Sequence, residues 1–302
     1  MAAYPATFKA YEYYKYGDAM EEIKFNANVT QKPLKADELR VKVFSAAVNP
    51  VDYKLVTYGP HILPHTPTAE NPFRVGFDMA VKVVEVGSDV KDYKVGDEIF
   101  AMPGFVSFGT FGEYINIETK YVAPKPSSMS WNEAAGVPLA GQTSWQALVT
   151  YGKLQKGQRV LILGGSSGTG VFGIQIAKAL GAEVITTCSH RNVELVKSLG
   201  ADQIINYTKE KWSDKVLKEK TGIFVTILTV DKPIESPIGA TFHQIFNAPC
   251  TEYLLEVKKL IDAGKVKTII DSVHPLENVM EAFKVQMSSR ARGKIIIEIA
   301  KE

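Results

Sequence analysis

Over the first 125 residues, short apolar runs alternate with turn signals: "ELRVKVFSAAV", "AVKVVEVGS", "VGDEIFAM", "FGEYINI" and "KYVAPKP". This rhythm predicts brief strands in a compact β-rich domain at residues 1–125. The stretch "SMSWNEAAGVPLAGQTSWQALVTYGKL" then has helical spacing, with Ser130 as N-cap and Glu133 at the capping-box position. From Arg159 onward the pattern is strand, helix, strand: "RVLILGG", "GVFGIQIAKALG", "EVITTCS", "NVELVKSLG", "DQIINY" and later "GIFVTIL". Short, continuous apolar strands between amphipathic helices predict a doubly wound α/β domain, residues 126–265, with its parallel sheet covered on both faces. The runs "TIID" and "KIIIEI" near the end are β-like again. They can rejoin the first domain, making it discontinuous through residues 266–302.

Bulk properties narrow the partners. The chain has 302 residues, 45% of them hydrophobic, with 35 basic and 33 acidic side chains and a formal net charge of +2. That size suits two domains, and so balanced a charge points to small-molecule chemistry rather than nucleic acid. Cys188 and Cys250 have no metal-ligand or disulfide spacing, which suits a reducing, cytoplasmic setting. No signal pattern opens the chain and no apolar run reaches membrane-spanning length, so no membrane partner is expected.

The most informative stretch is "RVLILGGSSGTGVFGIQIAKALGAEVITTCSHRN". A dinucleotide-binding turn must leave a strand sharply, let backbone approach a pyrophosphate, and present a helix N-terminus to the anion. With "RVLILG" as strand, the fingerprint positions are Gly165, Ser167 and Gly170, with Gly168 extra. The literal G-x-G-x-x-G at Gly168, Gly170 and Gly173 starts inside the helix, leaving Gly173 as a close-packing residue. Ser166, Ser167, Gly168, Thr169 and Val171 complete the expected cradle, the two serines able to donate to phosphate oxygens. The second strand ends in Ser189, His190, Arg191 and Asn192, without the acid that would bond the ribose of NAD. A hydroxyl and a guanidinium suit a 2′-phosphate, so the expected cofactor is NADP(H) on a Rossmann domain. Arg191 could instead be a solvated helix-start charge. Tyr207, ending the third strand, either covers the adenine edge or is a half-buried core tyrosine.

"AAVNPVDYKL", "VGFDMAVKVVEVGSDVKDYKVGDEIFA", "AAGVPLAGQTSWQAL", the glycine stretch, "KSLGADQIINY" and "SSRARGKIII" together resemble the zinc-free quinone oxidoreductases of the medium-chain dehydrogenase/reductase superfamily. The resemblance covers nearly the whole chain in the expected order. It implies a GroES-like catalytic domain, a Rossmann domain with NADPH in the cleft between them, and a homodimer. Where zinc-dependent relatives carry Cys and Gly-His-Glu, this chain reads Val48-Asn49-Pro50-Val51-Asp52 and Gly76-Phe77-Asp78, so no metal site is expected. Val81 stands where relatives generally have glycine.

A metal-free site suits acceptors that already take hydride readily, namely quinones and α,β-unsaturated carbonyls. Such a site needs hydrogen-bond donors for the developing enolate or quinol oxygen. Asn49 is the first candidate donor, Tyr53 or Lys54 a proton source, and Asp52 an orienting group; without the family pattern, Asn49-Pro50 would read as a turn initiator. By the same resemblance Thr143 holds the nicotinamide half, Thr226, Ile227 and Leu228 offer backbone atoms to its carboxamide, and Lys294 lies near the cleft. Thr143 could equally be an ordinary buried helix threonine. The five histidines are expected to be exposed, and "GPHILPHTPTAENPF" to be an irregular loop bordering the cleft. A non-catalytic, crystallin-like NADPH binder with weak RNA affinity is the competing function. The fifteen residues 208–222 are too few for the strand and helices a six-stranded Rossmann sheet requires, since one βαβ unit takes about 30. A missing segment between Asp214 and Lys215 is therefore expected.

Overall fold

A computed structural model describes residues 4–105, 107–211, 213, 222–228 and 239–301. Two strands outside the five runs, β1 (Thr7–Tyr13) and β2 (Lys24–Thr30), flank a helical turn α1 (Ala19–Glu22). Next come β3 (Glu38–Val48), α2 (Pro50–Tyr58), β4 (Phe73–Arg74), β5 (Asp78–Val86), β6 (Glu98–Ala101), β7 (Tyr114–Glu118) and β8 (Val122–Pro124). The proline-rich stretch is not wholly irregular: a 3₁₀ turn forms at Gly59–His61, with Pro60 in its first turn, where a missing N–H costs nothing.

Ser130 caps α3 (Trp131–Ala135) as expected, with Glu133 Oε2 accepting from Ser130 N at 2.9 Å. After α4 (Pro138–Trp145) a π-helical stretch covers Gln146–Tyr151. The α/β part then runs β9 (Arg159–Ile162), α5 (Gly168–Ala179), β10 (Glu183–Cys188), α6 (Val193–Ser198) and β11 (Gln203–Asn206). These strands are parallel, in the order β11-β10-β9. β12 (Ile223–Thr226) and β13 (Thr241–Gln244) form a second parallel pair. Among the described residues the parallel strands of the α/β part thus form a three-stranded and a two-stranded sheet. The expected break between Asp214 and Lys215 lies outside the described residues. The chain ends with α7 (Thr251–Asp262), β14 (Ile270–Pro275), α8 (Val279–Met287) and β15 (Lys294–Glu298).

β3 organises the largest sheet, of order β14-β15-β3-β5-β6-β8 with β7 also on β3. Ten of its eleven residues are buried because strands flank it on both edges and apolar side chains cover both faces. β15 and β5 both run antiparallel to it, pairing Ile295 with Val48 and Asp78 with Ala47. The first residues of two strands therefore meet the last residues of a third. On one side of this junction lies a core including Leu55, Val56, Phe77, Phe111 and Phe283. On the other, α5 buries Val171, Phe172, Ile174 and Ile176 against Leu254, Val257 and Ile261 of α7. Each fully buried large apolar side chain contributes about 1.5–3 kcal/mol.

Candidate active site and cofactor cradle

The turn after β9 differs in one detail from expectation. The strand ends at Ile162, and Gly164 makes the turn, with φ +69°, a conformation that favours glycine. A Cβ on Gly165 would overlap Thr186 Oγ1, and one on Gly170 would overlap the Gly164 carbonyl. Both glycines are therefore needed for close approach of strand, turn and helix. Gly173 is not: a Cβ there would meet Ile162 at 3.4 Å, an ordinary contact. Ser167 is the N-cap of α5, its Oγ accepting from Gly170 N at 3.0 Å, so Gly168, Thr169, Gly170 and Val171 form the helix start.

Several segments converge on this helix start. Ser144 of α4 donates to the Thr169 carbonyl at 2.9 Å, and Gly293 N donates to the Ser166 carbonyl at 3.0 Å. Asn192 Nδ2 donates to Ser166 Oγ at 2.9 Å and to Ser189 Oγ at 3.3 Å. Arg191, exposed in the 3₁₀ turn His190–Asn192, donates to the carbonyl of Arg290. Asn192 and the Arg290 loop, neither among the expected cofactor contacts, both border the cradle. Thr143 is buried, and its hydroxyl is one of the side-chain atoms without a hydrogen-bond partner, as is Asn192 Oδ1.

The other expected cofactor contacts follow β11 and β12. Tyr207 follows β11, 56% exposed, its N–H donating to the Cys188 carbonyl. Thr226 ends β12 on the two-stranded sheet. Its carbonyl accepts from Ile245 N at 2.8 Å and its hydroxyl from Leu228 N at 3.0 Å, so those groups hold the turn together. Ile227 and Leu228 are largely exposed.

At the strand junction stands a buried network that joins two of the expected site residues, Asn49 and Lys294. Lys294 Nζ reaches Asn49 Oδ1 at 2.6 Å, Asp78 Oδ2 at 3.0 Å and the Val48 carbonyl at 3.4 Å. An ammonium has three donors, so none remains for a cofactor. Asn49 Nδ2 donates to Asp78 Oδ2 at 2.8 Å and to the Ala47 carbonyl at 3.2 Å. Its amide, the expected donor to a substrate oxygen, is thus engaged with Asp78 and the Ala47 carbonyl. Asp78 Oδ1 accepts from Leu139 N at 2.6 Å, placing a carboxylate at the N-terminus of α4, where the helix dipole favours it. The sequence signal for Asp78 is its charge at the head of a strand whose next three residues, Met79, Ala80 and Val81, are apolar.

Beside this network, Asp52 Oδ2 accepts from Asn49 N at 2.6 Å, while Oδ1 is buried without a partner. Burial above all pushes the Asp52 carboxyl well above the ordinary range; the Asn49 N–H opposes this, and Asp78 adds to it. Tyr53 is half-buried, edge-on to Phe283, and its phenol is raised by burial and by Asp52. Lys54 is exposed. Of the histidines, His61, His65 and His190 are exposed, but His243 and His274 are half-buried. Among the described residues, no three or more His, Cys, Asp or Glu side chains gather where a metal could be held.

Comparison with known proteins agrees with this architecture. Residues 35–127 match the alcohol dehydrogenase GroES-like domain, and residues 168–233 and 213–297 match zinc-binding dehydrogenase models. The chain is 35% identical to a 2-methylene-furan-3-one reductase of Solanum lycopersicum over 322 residues, covering 97% of this chain and 79% of that protein. It is 34% identical to the chloroplastic NADPH-dependent alkenal/one oxidoreductase of Arabidopsis thaliana, covering 98% and 81%. The quinone oxidoreductase of Coxiella burnetii superposes with a TM-score of 0.83 at 25% identity, covering 97% and 99%. An alignment of 322 positions exceeds the 302 residues of this chain, so the tomato protein carries segments that have no counterpart here.

Proposed function

The chain belongs to the medium-chain dehydrogenase/reductase superfamily, and from that premise we propose that it is an NADPH-dependent oxidoreductase transferring hydride to quinones or α,β-unsaturated carbonyls. One observation supports the cofactor choice: β10 is followed by Ser189, His190, Arg191 and Asn192, with no carboxylate among them, and Asn192 bonds both Ser189 and Ser166 of the glycine turn that opens α5. The cradle fits a dinucleotide, because Gly165 and Gly170 admit no side chain and Thr143 holds an unpartnered buried hydroxyl. NADPH, when bound, supplies the hydride. Ser166, Ser167, Gly168, Thr169, Gly170 and Val171 would hold its phosphates, Ser189 and Arg191 its 2′-phosphate, and Thr143 its nicotinamide half.

Hydride arriving at the β-carbon of an enone drives the π electrons onto the carbonyl oxygen, which then needs a hydrogen-bond donor and finally a proton. Asn49 is committed to Asp78 and Lys294, so we assign this role to Tyr53, whose phenol burial keeps protonated. Asp52 fixes the first turn of α2 by accepting the Asn49 N–H. We take the reaction as metal-independent on the donor set, since such acceptors take hydride without a Lewis acid. We also take the protein as a cytoplasmic homodimer: Cys188 and Cys250 are free thiols, and the apolar residues Ile223 and Phe224 on β12 are half-exposed, in keeping with a second copy.

The test is to follow NADPH oxidation with 1,4-benzoquinone and with an enone offered separately. Turnover of at least one is expected. Tight NADPH binding without turnover of either would leave the non-catalytic reading.

A further inference from the structure

Aromatic rings form a continuous run through the first domain. His65 stacks on Phe73 at 4.2 Å between centroids, Phe73 on Phe108 at 5.4 Å, and Phe108 on Phe77 at 4.7 Å. Phe77 then meets Phe105 at 5.0 Å, and Phe105 meets Phe246 at 5.1 Å, tilted by 43°. Phe77 and Phe108 are buried, but Phe246 is 60% exposed, so the run ends in an open ring. Phe105 follows β6, and Phe246 follows β13 of the α/β part. The last contact therefore joins the two parts of the molecule.

The open ring stands on a fixed backbone. Gln146 Nε2 donates to Asn247 Oδ1 at 2.6 Å and to the Ala248 carbonyl at 3.2 Å, and Gln146 Oε1 accepts from Ala248 N at 3.2 Å. Asn247 Nδ2 donates to the Leu139 carbonyl at 3.1 Å and to Met102 Sδ at 3.4 Å. Leu139 in turn donates to Asp78, the hub of the buried network beside α2. Phe77, adjacent to Asp78, touches Phe105 from the other side. Two short routes thus tie the Phe105–Phe246 pair to the strand junction that carries Tyr53. A preorganised aromatic face gains more from a flat ligand than a mobile one, because less side-chain freedom is lost on binding.

We propose that Phe246, backed by Phe105, is a specificity-determining residue against which the planar apolar part of the acceptor packs, favouring aryl enones and naphthoquinones over small aliphatic enones. This rests on the reductase reading above. The preference follows from ring area: a fused or aryl-substituted acceptor covers the Phe246 face, whereas a short aliphatic enone covers little of it.

Two measurements on wild type, Phe246→Ala, Phe246→Trp and Phe105→Ala test it. The first is the ratio of kcat/KM for 4-phenyl-3-buten-2-one to that for 3-buten-2-one. The second is calorimetric binding of 1,4-naphthoquinone to the cofactor-free protein. Phe246→Ala is expected to lower the ratio and to weaken naphthoquinone binding, each roughly 10-fold, with Phe246→Trp keeping both and Phe105→Ala falling between. Because the Phe246 side chain is exposed, an unchanged melting temperature would separate these effects from unfolding. A ratio and a naphthoquinone affinity that ignore Phe246→Ala would overturn the assignment while leaving the reductase reading intact. Absence of turnover with every acceptor, but naphthoquinone binding that still depends on Phe246, would remove the reductase reading and keep the aromatic platform.

Discussion

Asp78 and Lys294 form a buried ion pair, Oδ2 to Nζ at 3.0 Å, at the heads of two strands that flank β3 on opposite edges. Asn49 bridges them, and the other Asp78 oxygen caps α4, so one carboxylate serves four segments.

Removing one partner leaves a charge buried without compensation. Lys294→Met is expected to lower stability by about 3–5 kcal/mol in urea unfolding. The double variant Asp78→Asn with Lys294→Met should recover part of that loss, because the unpaired charge is gone. Additive losses would mean that the two residues act independently.

Asp52 sets a pH dependence of the opposite sense to that of an ordinary paired carboxylate. Its folded-state pKa lies above the unfolded value, so the native protein retains a proton that the unfolded chain has released. Stability therefore falls as pH rises from about 4 towards the folded pKa, by up to about 1.4 kcal/mol per pH unit. Asp52→Asn preserves an acceptor for the Asn49 N–H and removes the titration. Its stability relative to wild type should grow as pH rises above about 4, the ordinary carboxylate pKa, as measured by denaturant midpoints.

The glycines of the cradle should divide sharply. Gly170→Ala forces a methyl into the Gly164 carbonyl, and Gly165→Ala forces one into Thr186. Each should lose about 1–3 kcal/mol of stability and weaken NADPH binding. Gly173→Ala has room and sits in a helix interior, where alanine is favoured by up to about 1 kcal/mol. Melting curves of the three variants, with NADPH titrations, distinguish these cases.

Arg191→Ala should weaken NADPH roughly 10-fold or more, the worth of a charge-assisted hydrogen bond, and leave NADH affinity nearly unchanged. Fluorescence titration with both nucleotides measures this. Equal losses for the two would place Arg191 away from the 2′-phosphate.

Short-range chemistry is legible in the chain, whereas relations between distant segments are not. The Ser130–Glu133 box follows from local spacing and appears where the residues indicate, while the Ser167 cap of α5 emerges only from the structure. The turn at Gly164 is not legible either, because a turn's φ depends on where the strand stops pairing, and β9 stops at Ile162 rather than at the glycine. The commitment of Asn49 and Lys294 depends on partners 29 and 245 positions from Asn49 in the chain, which no local pattern records. Phe246 looked like one more apolar residue after a strand. Its meaning comes from Phe105, which follows a strand of a different sheet.

Because Lys294 supplies three bonds of the junction that carries α2, the first domain cannot finish its site when its own first 125 residues have left the ribosome. Asp78 then waits unneutralised, and Asn49 without its ammonium donor, through the synthesis of the α/β part, until β15 arrives and pairs with β3. A nascent chain stalled before Lys294 is expected to expose that carboxylate and the apolar edge of β3, making it a substrate for chaperones, so that maturation of the site awaits the translation of β15.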